Sequence, residues 1–209
     1  MARRFFDPEG FIWKPLGVLG ELITLSLLWA VCCIPLVTIG SATAALYDSA
    51  VHVLRRQDDT LFSRFFGTLR RELKSGILST LLWAALAALA VLLYAGLRSA
   101  VPEGSARPVI LIFYLVLVPF LLLCVFCWVF PTLSRFTFGT LALHATSLRL
   151  ALGHILRSAA MALVTALGAA LCWVLVLPIM LVPALTALFW SVLIEPVFRP
   201  YEETAGAAE

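Results

Sequence analysis

The sequence predicts an all-α fold: a polytopic membrane helix bundle, six transmembrane helices in three hairpins, plus a cytoplasmic amphipathic helix. Three observations lead there. Apolar residues make up 62% of the 209 and charged residues 13%, against ordinary shares of about 45–50% and about 25%. Mean hydropathy is +1.03. Apolar runs of about 20 residues recur along the chain, the length a helix needs to cross the hydrocarbon layer. Fifteen basic and twelve acidic residues cannot cover a soluble globule of this size. That composition excludes a soluble enzyme, a disordered tail and a nucleic-acid-binding module.

Residues 1–209 read as one transmembrane domain with spans at about 16–33, 35–54, 76–97, 109–130, 158–177 and 178–194. The second and the sixth are the weakest. Sidedness follows from the preference of Arg and Lys for the cytoplasmic face. With six crossings and the N-terminus inside, the inner segments hold Arg3, Arg4 and Lys14, then Arg55, Arg56, Arg64, Arg70, Arg71 and Lys74, then Arg135, Arg149 and Arg157, then Arg199. Only Arg98 and Arg107 fall outside, so both termini are expected in the cytoplasm. Arg3-Arg4-Phe5-Phe6 ahead of an apolar run imitates a twin-arginine signal. Asp7, Glu9 and the length of the run argue for a retained first span.

Pro35, Thr38 and Gly40 mark the turn of the first hairpin near the outer face, because Pro cannot donate to a helix and Gly tolerates a tight bend. Thr38 and Ser41 hydroxyls are expected to satisfy the carbonyls freed there. Loop 55–75 interleaves Leu61, Phe62, Phe65, Phe66 and Leu69 with Arg64, Arg70, Arg71 and Lys74, a pattern suited to lipid headgroups. Segment 132–157 places Phe136, Leu143 and Leu150 on one face and Arg135, Ala142 and Arg149 on another, as a helix lying on the leaflet does. Arg55, Arg56, Arg64, Arg70, Arg71, Lys74, Arg135, Arg149 and Arg157 make up the expected cytoplasmic basic surface. Ser158, Ala162, Ala166 and Ala170, and likewise Ala84 and Ala88, form small-residue stripes for close helix packing. Trp13 and Trp190 are expected at interfaces; Trp29, Trp83, Trp128 and Trp173 are expected deeper. A weak repeat at an offset of 143 aligns Pro35, Thr43, Ala44 and Arg56 with Pro178, Thr186, Ala187 and Arg199.

No nucleophile–base pair, phosphate loop or zinc spacing stands out, so neither catalytic residues nor cofactors nor metals are expected. The five cysteines all fall inside spans, and Cys124-Val-Phe-Cys127 lacks the context of a redox motif. Ionisable groups inside membrane helices are the informative ones. Thr38, Ser41, Ala45, Asp48, His52 and Arg55 follow helical spacing down one face. Glu21 is expected at the depth of Asp48, with His52 and Arg55 or Arg56 as counter-charges, and Glu195 lies four residues before Arg199. Glu21, Asp48, His52 and Glu195 therefore form a candidate polar cluster. It reads either as a site for a cation, a proton or a sugar hydroxyl, or as a set of hairpin-locking ion pairs. Its nearness to the cytoplasmic edge favours the second.

Phe5-Phe6, Gly17-Val-Leu-Gly-Glu21, Pro35-Leu-Val-Thr-Ile-Gly40, Ala44-Ala-Leu-Tyr47, Arg55-Arg56 and Phe130-Pro-Thr-Leu-Ser-Arg135-Phe136 together resemble the YesL-like family of small bacterial membrane proteins. The resemblance runs from Phe5 to about Phe198, with Glu21 where the family more often has Asp. It implies a bacterial inner-membrane protein linked to carbohydrate import and supplies no catalytic residues. The functional expectation is a non-enzymatic accessory or assembly factor for ABC-type sugar uptake. Its partners would be the bilayer, transporter subunits or a second copy of the chain, and not nucleic acid. The alternative is a small transporter or channel using Glu21, Asp48 and His52.

Overall fold

The computed structural model describes residues 13–55, 60–102, 104, 106–135, 139–175 and 177–206. Among them are eight α-helices: α1 Trp13–Cys32, α2 Ile39–Ser49, α3 Leu61–Arg71, α4 Leu73–Ala100, α5 Arg107–Arg135, α6 Thr140–Gly153, α7 Ile155–Val174 and α8 Val182–Gly206. The 3₁₀ turns Leu36–Thr38 and Leu177–Met180 close the α1–α2 and α7–α8 hairpins. A π-helical turn, Ala50–Arg55, continues α2. α4, α5 and α7 are each long and apolar enough to cross a membrane, which makes this a membrane protein. The apolar parts of α1 and α8, Gly17–Cys32 and Val182–Phe198, are shorter.

α2, the weak second span, is the centre of the bundle. Every residue from Gly40 to Ser49 is buried. Its first turns, Gly40-Ser-Ala-Thr-Ala-Ala45, are small, so neighbours approach the backbone closely. α1, α3, α4, α5 and α8 all pack on it. Hydropathy is low there because the helix faces protein on all sides, and the polar groups at its start bond to protein. Thr38 Oγ1 lies 2.6 Å from the Cys32 carbonyl and 2.7 Å from that of Pro35, and Ser41 Oγ donates to Thr38 at 3.0 Å.

Gly40 does more than bend the chain. It lies inside α2, and a Cβ on it would stand 2.5 Å from the Gly76 carbonyl oxygen. A Cβ on Gly76 would in turn stand 2.6 Å from the Ser41 nitrogen. The Gly40 amide donates to Thr80 Oγ1 at 3.0 Å. The α2–α4 crossing is thus a backbone-to-backbone contact. It also fixes the level of α2 against α4. The six-span reading puts Gly40 near the outer face and Gly76 at the cytoplasmic start of the third span, yet the two touch. The turn of the first hairpin therefore lies at the depth where α4 begins, because α3 runs back along α2 before α4 starts.

Beyond Thr80, α4 continues for about 20 residues, roughly 30 Å at helical rise. Over 81–102 and 106–123 no described residue is buried. These distal halves pair mainly with each other: Tyr114 Oη donates to Ala90 O at 2.9 Å, the Tyr94 and Tyr114 rings are 6.0 Å apart, and Arg107 Nη2 reaches Arg98 O at 2.7 Å.

Several expected boundaries and faces shift. α5 runs through Pro131 to Arg135, so residues 132–135 belong to that helix and not to a surface segment. α6 buries Leu143, Ser147 and Ala151, a stripe set by contact with α5 in which Leu150 is only a flank. Phe136 and Arg56 lie outside the described residues, as do the side chains of Lys14, Arg55 and Arg199. Trp190, expected at an interface, is 4% exposed, whereas Trp173 is 91% exposed. Of the small-residue stripes, Ser158 and Ala162 are buried, while Ala84, Ala88, Ala166 and Ala170 are exposed.

Candidate functional site

The polar cluster is built on α2 and α3. Asp48 is 3% exposed. Its Oδ2 accepts from Arg64 Nε at 3.0 Å and from Thr68 Oγ1 at 2.8 Å. Its Oδ1 lies 3.4 Å from Arg64 Nη2 and 3.2 Å from His52 Nδ1. Arg64 Nη2 also stands 2.8 Å from His52 Nε2. A guanidinium only donates, so Nε2 accepts and the imidazole proton sits on Nδ1. That nitrogen is 3.0 Å from the Asp48 carbonyl oxygen. His52 is neutral in this arrangement, and both Asp48 oxygens are engaged. Among the described residues the counter-charge to Asp48 is Arg64 from α3; the expected partners Arg55, by its side chain, and Arg56 lie outside them. Arg64 and Thr68 stand four apart on the α3 face that also buries Phe65, a spacing that could have revealed them.

Glu195 and Glu21 lie apart from this knot. Arg135 Nη2 donates to Glu195 Oε1 at 2.5 Å, and both side chains are 11% exposed. Among the described residues the partner of Glu195 is thus on α5, because α8 turns this face toward the end of α5. Glu21 borders a crevice between α1 and the start of α3 with Thr24, Thr60 and Ser63. A further tie closes the α3–α4 corner: Arg71 bonds Glu72 at 2.7 Å and the Ser134 carbonyl at 3.2 Å.

The expected basic surface is therefore divided. Arg64, Arg71 and Arg135 bond within the protein, and Arg157 approaches the Leu193 carbonyl at 3.5 Å. Arg70, Lys74 and Arg149 are exposed. The α3 face that carries the exposed Arg70 also exposes Phe62 and Phe66.

A second feature lies toward the hairpin turns. Trp29, Thr43, Phe126, Thr165, Thr186 and Trp190 line a cavity of about 420 Å³ among α1, α2, α5, α7 and α8. Its threonine hydroxyls each donate to the carbonyl four residues back, Thr43 and Thr165 at 2.7 Å and Thr186 at 2.8 Å. Trp29 Nε1 donates to Thr43 Oγ1 and Trp190 Nε1 to Thr165 Oγ1, both at 3.2 Å. Among the described residues, no group of His, Cys, Asp and Glu is placed to hold a metal ion.

Fold and site define a helical membrane protein in which the buried carboxylates Asp48 and Glu195 are tied to Arg64 and Arg135 on other helices. Residues 22–97 match a family model described as protein of unknown function, DUF624, the family that includes YesL. The matched stretch runs from within α1 to near the end of α4 and contains the whole Asp48 knot and the Gly40–Gly76 crossing. No curated protein and no solved structure matches the chain.

Proposed function

We propose that this chain is a YesL-like bacterial inner-membrane protein, multi-pass with both termini cytoplasmic, that acts as a non-enzymatic accessory or assembly factor beside an ABC-type sugar importer. The observation that carries the accessory reading over the transporter reading is the closure of Asp48. A carboxylate that is 3% exposed and accepts from Arg64 and Thr68 is held inside the bundle and not presented to a passing substrate. The link to carbohydrate uptake rests on the YesL-like resemblance, which the DUF624 match supports over part of the chain. Crosslinking in native membrane followed by mass spectrometry of the captured proteins tests the partner; recovery without importer subunits counts against it. Asp48→Asn separates the two roles. The accessory reading expects a less stable bundle and no change in any flux, whereas a folded Asp48→Asn protein that loses proton or sugar flux establishes the transporter.

The same reading includes topology. Six segments enter from the cytoplasmic side or return to it, as the basic residues require, but not all to equal depth. The Gly40–Gly76 contact supports full crossing by α4 and α5, with the α1–α2 and α7–α8 hairpins turning inside the apolar layer. Both turns are free of charge, and at the first of them the Thr38 hydroxyl lies within hydrogen-bond distance of the Cys32 and Pro35 carbonyls, which satisfies backbone groups that lipid cannot. A cysteine at Leu36 is then expected to resist a membrane-impermeant maleimide from either side, while one at Gly104 reacts from outside. Rapid outside labelling at Leu36 would restore six full crossings.

A further inference from the structure

We propose that the cavity between the two hairpins is a binding site for one acyl chain of a membrane phospholipid. This goes beyond the accessory reading and does not depend on it. The lining is mostly apolar, and the threonines and two of its three tryptophans are already paired. Its three threonine hydroxyls are spent on their own helices, and the indole N–H groups of Trp29 and Trp190 are spent on Thr43 and Thr165. A sugar or a chain of water molecules would meet few open donors or acceptors there, and polar guests need such partners. A hydrocarbon chain needs none.

The surroundings select the source of that chain. α5 and α7, which supply Phe126, Thr165 and Cys172, are two of the helices apolar enough to cross a membrane. The rim carries Trp173, 91% exposed, and the exposed Ile179. The cavity therefore opens sideways through an apolar edge, where the solvent is acyl chain. The walls keep it open. Thr43 and Thr186 are equivalent under the 143-residue repeat, each one turn into its hairpin's second helix, and both face the cavity. At Gly168 a Cβ would stand 2.8 Å from Val182 Cγ1, so α7 and α8 close tightly on one flank and the gap lies beside them.

Two measurements test the site on the full chain. In the first, wild-type protein in vesicles containing phosphatidylethanolamine with a mid-chain diazirine is irradiated, and the adducts are mapped. Labelling at Thr43, Thr165 and Thr186 is expected to saturate as the probe lipid increases. Labelling at the exposed Leu92 and Val116 of the distal hairpin is expected to rise in proportion to it. Proportional labelling everywhere, or none at the threonines, overturns the proposal. In the second, protein extracted in mild detergent is weighed intact. One phospholipid per chain is expected in the wild type and in Ala88→Phe, and at least tenfold less in Ala169→Phe, which fills the cavity. Equal retention in Ala169→Phe, or a retained isoprenoid in place of a phospholipid, overturns it as well. The photolabelling arm requires no variant to fold.

Discussion

The two ends of the bundle are held together by different physics. At the end carrying Asp48, Arg64, Arg135 and Glu195, helices are joined by directional bonds between named atoms, and each charge has a partner on another helix. At the end carrying the Leu36–Thr38 and Leu177–Met180 turns, contacts are apolar, polar side chains bond mostly within their own helix or hairpin, and a cavity persists. Directional pairs set which helix face meets which, because a buried charge without its partner is costly. Apolar contacts tolerate sliding and a gap, because dispersion and burial depend on area and not on direction. The charged end therefore specifies register, and the apolar end is free to hold something else.

Breaking the charged end has the largest expected consequence. Arg135→Leu leaves Glu195 buried without its cation, and removal of one member of such a pair costs about 3–5 kcal/mol. Unfolding in detergent, followed by helicity, measures it. The double variant with Glu195→Leu is expected to recover much of the loss, and a double variant as unstable as the sum of the singles would show that the pair does not act as a unit.

Next is the crossing that joins the two ends. Gly40→Ala puts a methyl group against a backbone carbonyl that cannot rotate away, so α2 and α4 must separate, at a cost of about 1–3 kcal/mol for overpacking. The same assay reads it. A neutral Gly40→Ala would mean that the close approach is not required.

The smallest expected change is at the apolar end. Trp29→Phe removes one bond to Thr43, whose hydroxyl keeps its own acceptor at Ile39, and costs about 0.5–1.5 kcal/mol. A loss as large as that of Arg135→Leu would erase the distinction between the two ends.

The sequence by itself determined the class of fold and the approximate position of the apolar helices, because apolar length and helix-breaking Pro and Gly are local properties; α3, read as a loop, and the run of α8 to Gly206 lay beyond it. It also singled out Asp48, His52 and Glu195, since a charge within an apolar run is conspicuous wherever it ends up. Tertiary structure alone decided who meets whom. Arg64 lies 16 residues from Asp48 and Arg135 lies 60 from Glu195, and no local pattern encodes a meeting between different helices. It also decided the level of one helix against another: the close approach of Gly40 and Gly76 sets the first turn beside the start of α4, and the positive-inside pattern, which reports only the side of a loop, carries no such information. The cavity was equally out of reach, because a cavity is a property of packing among five helices and has no signature in any one of them.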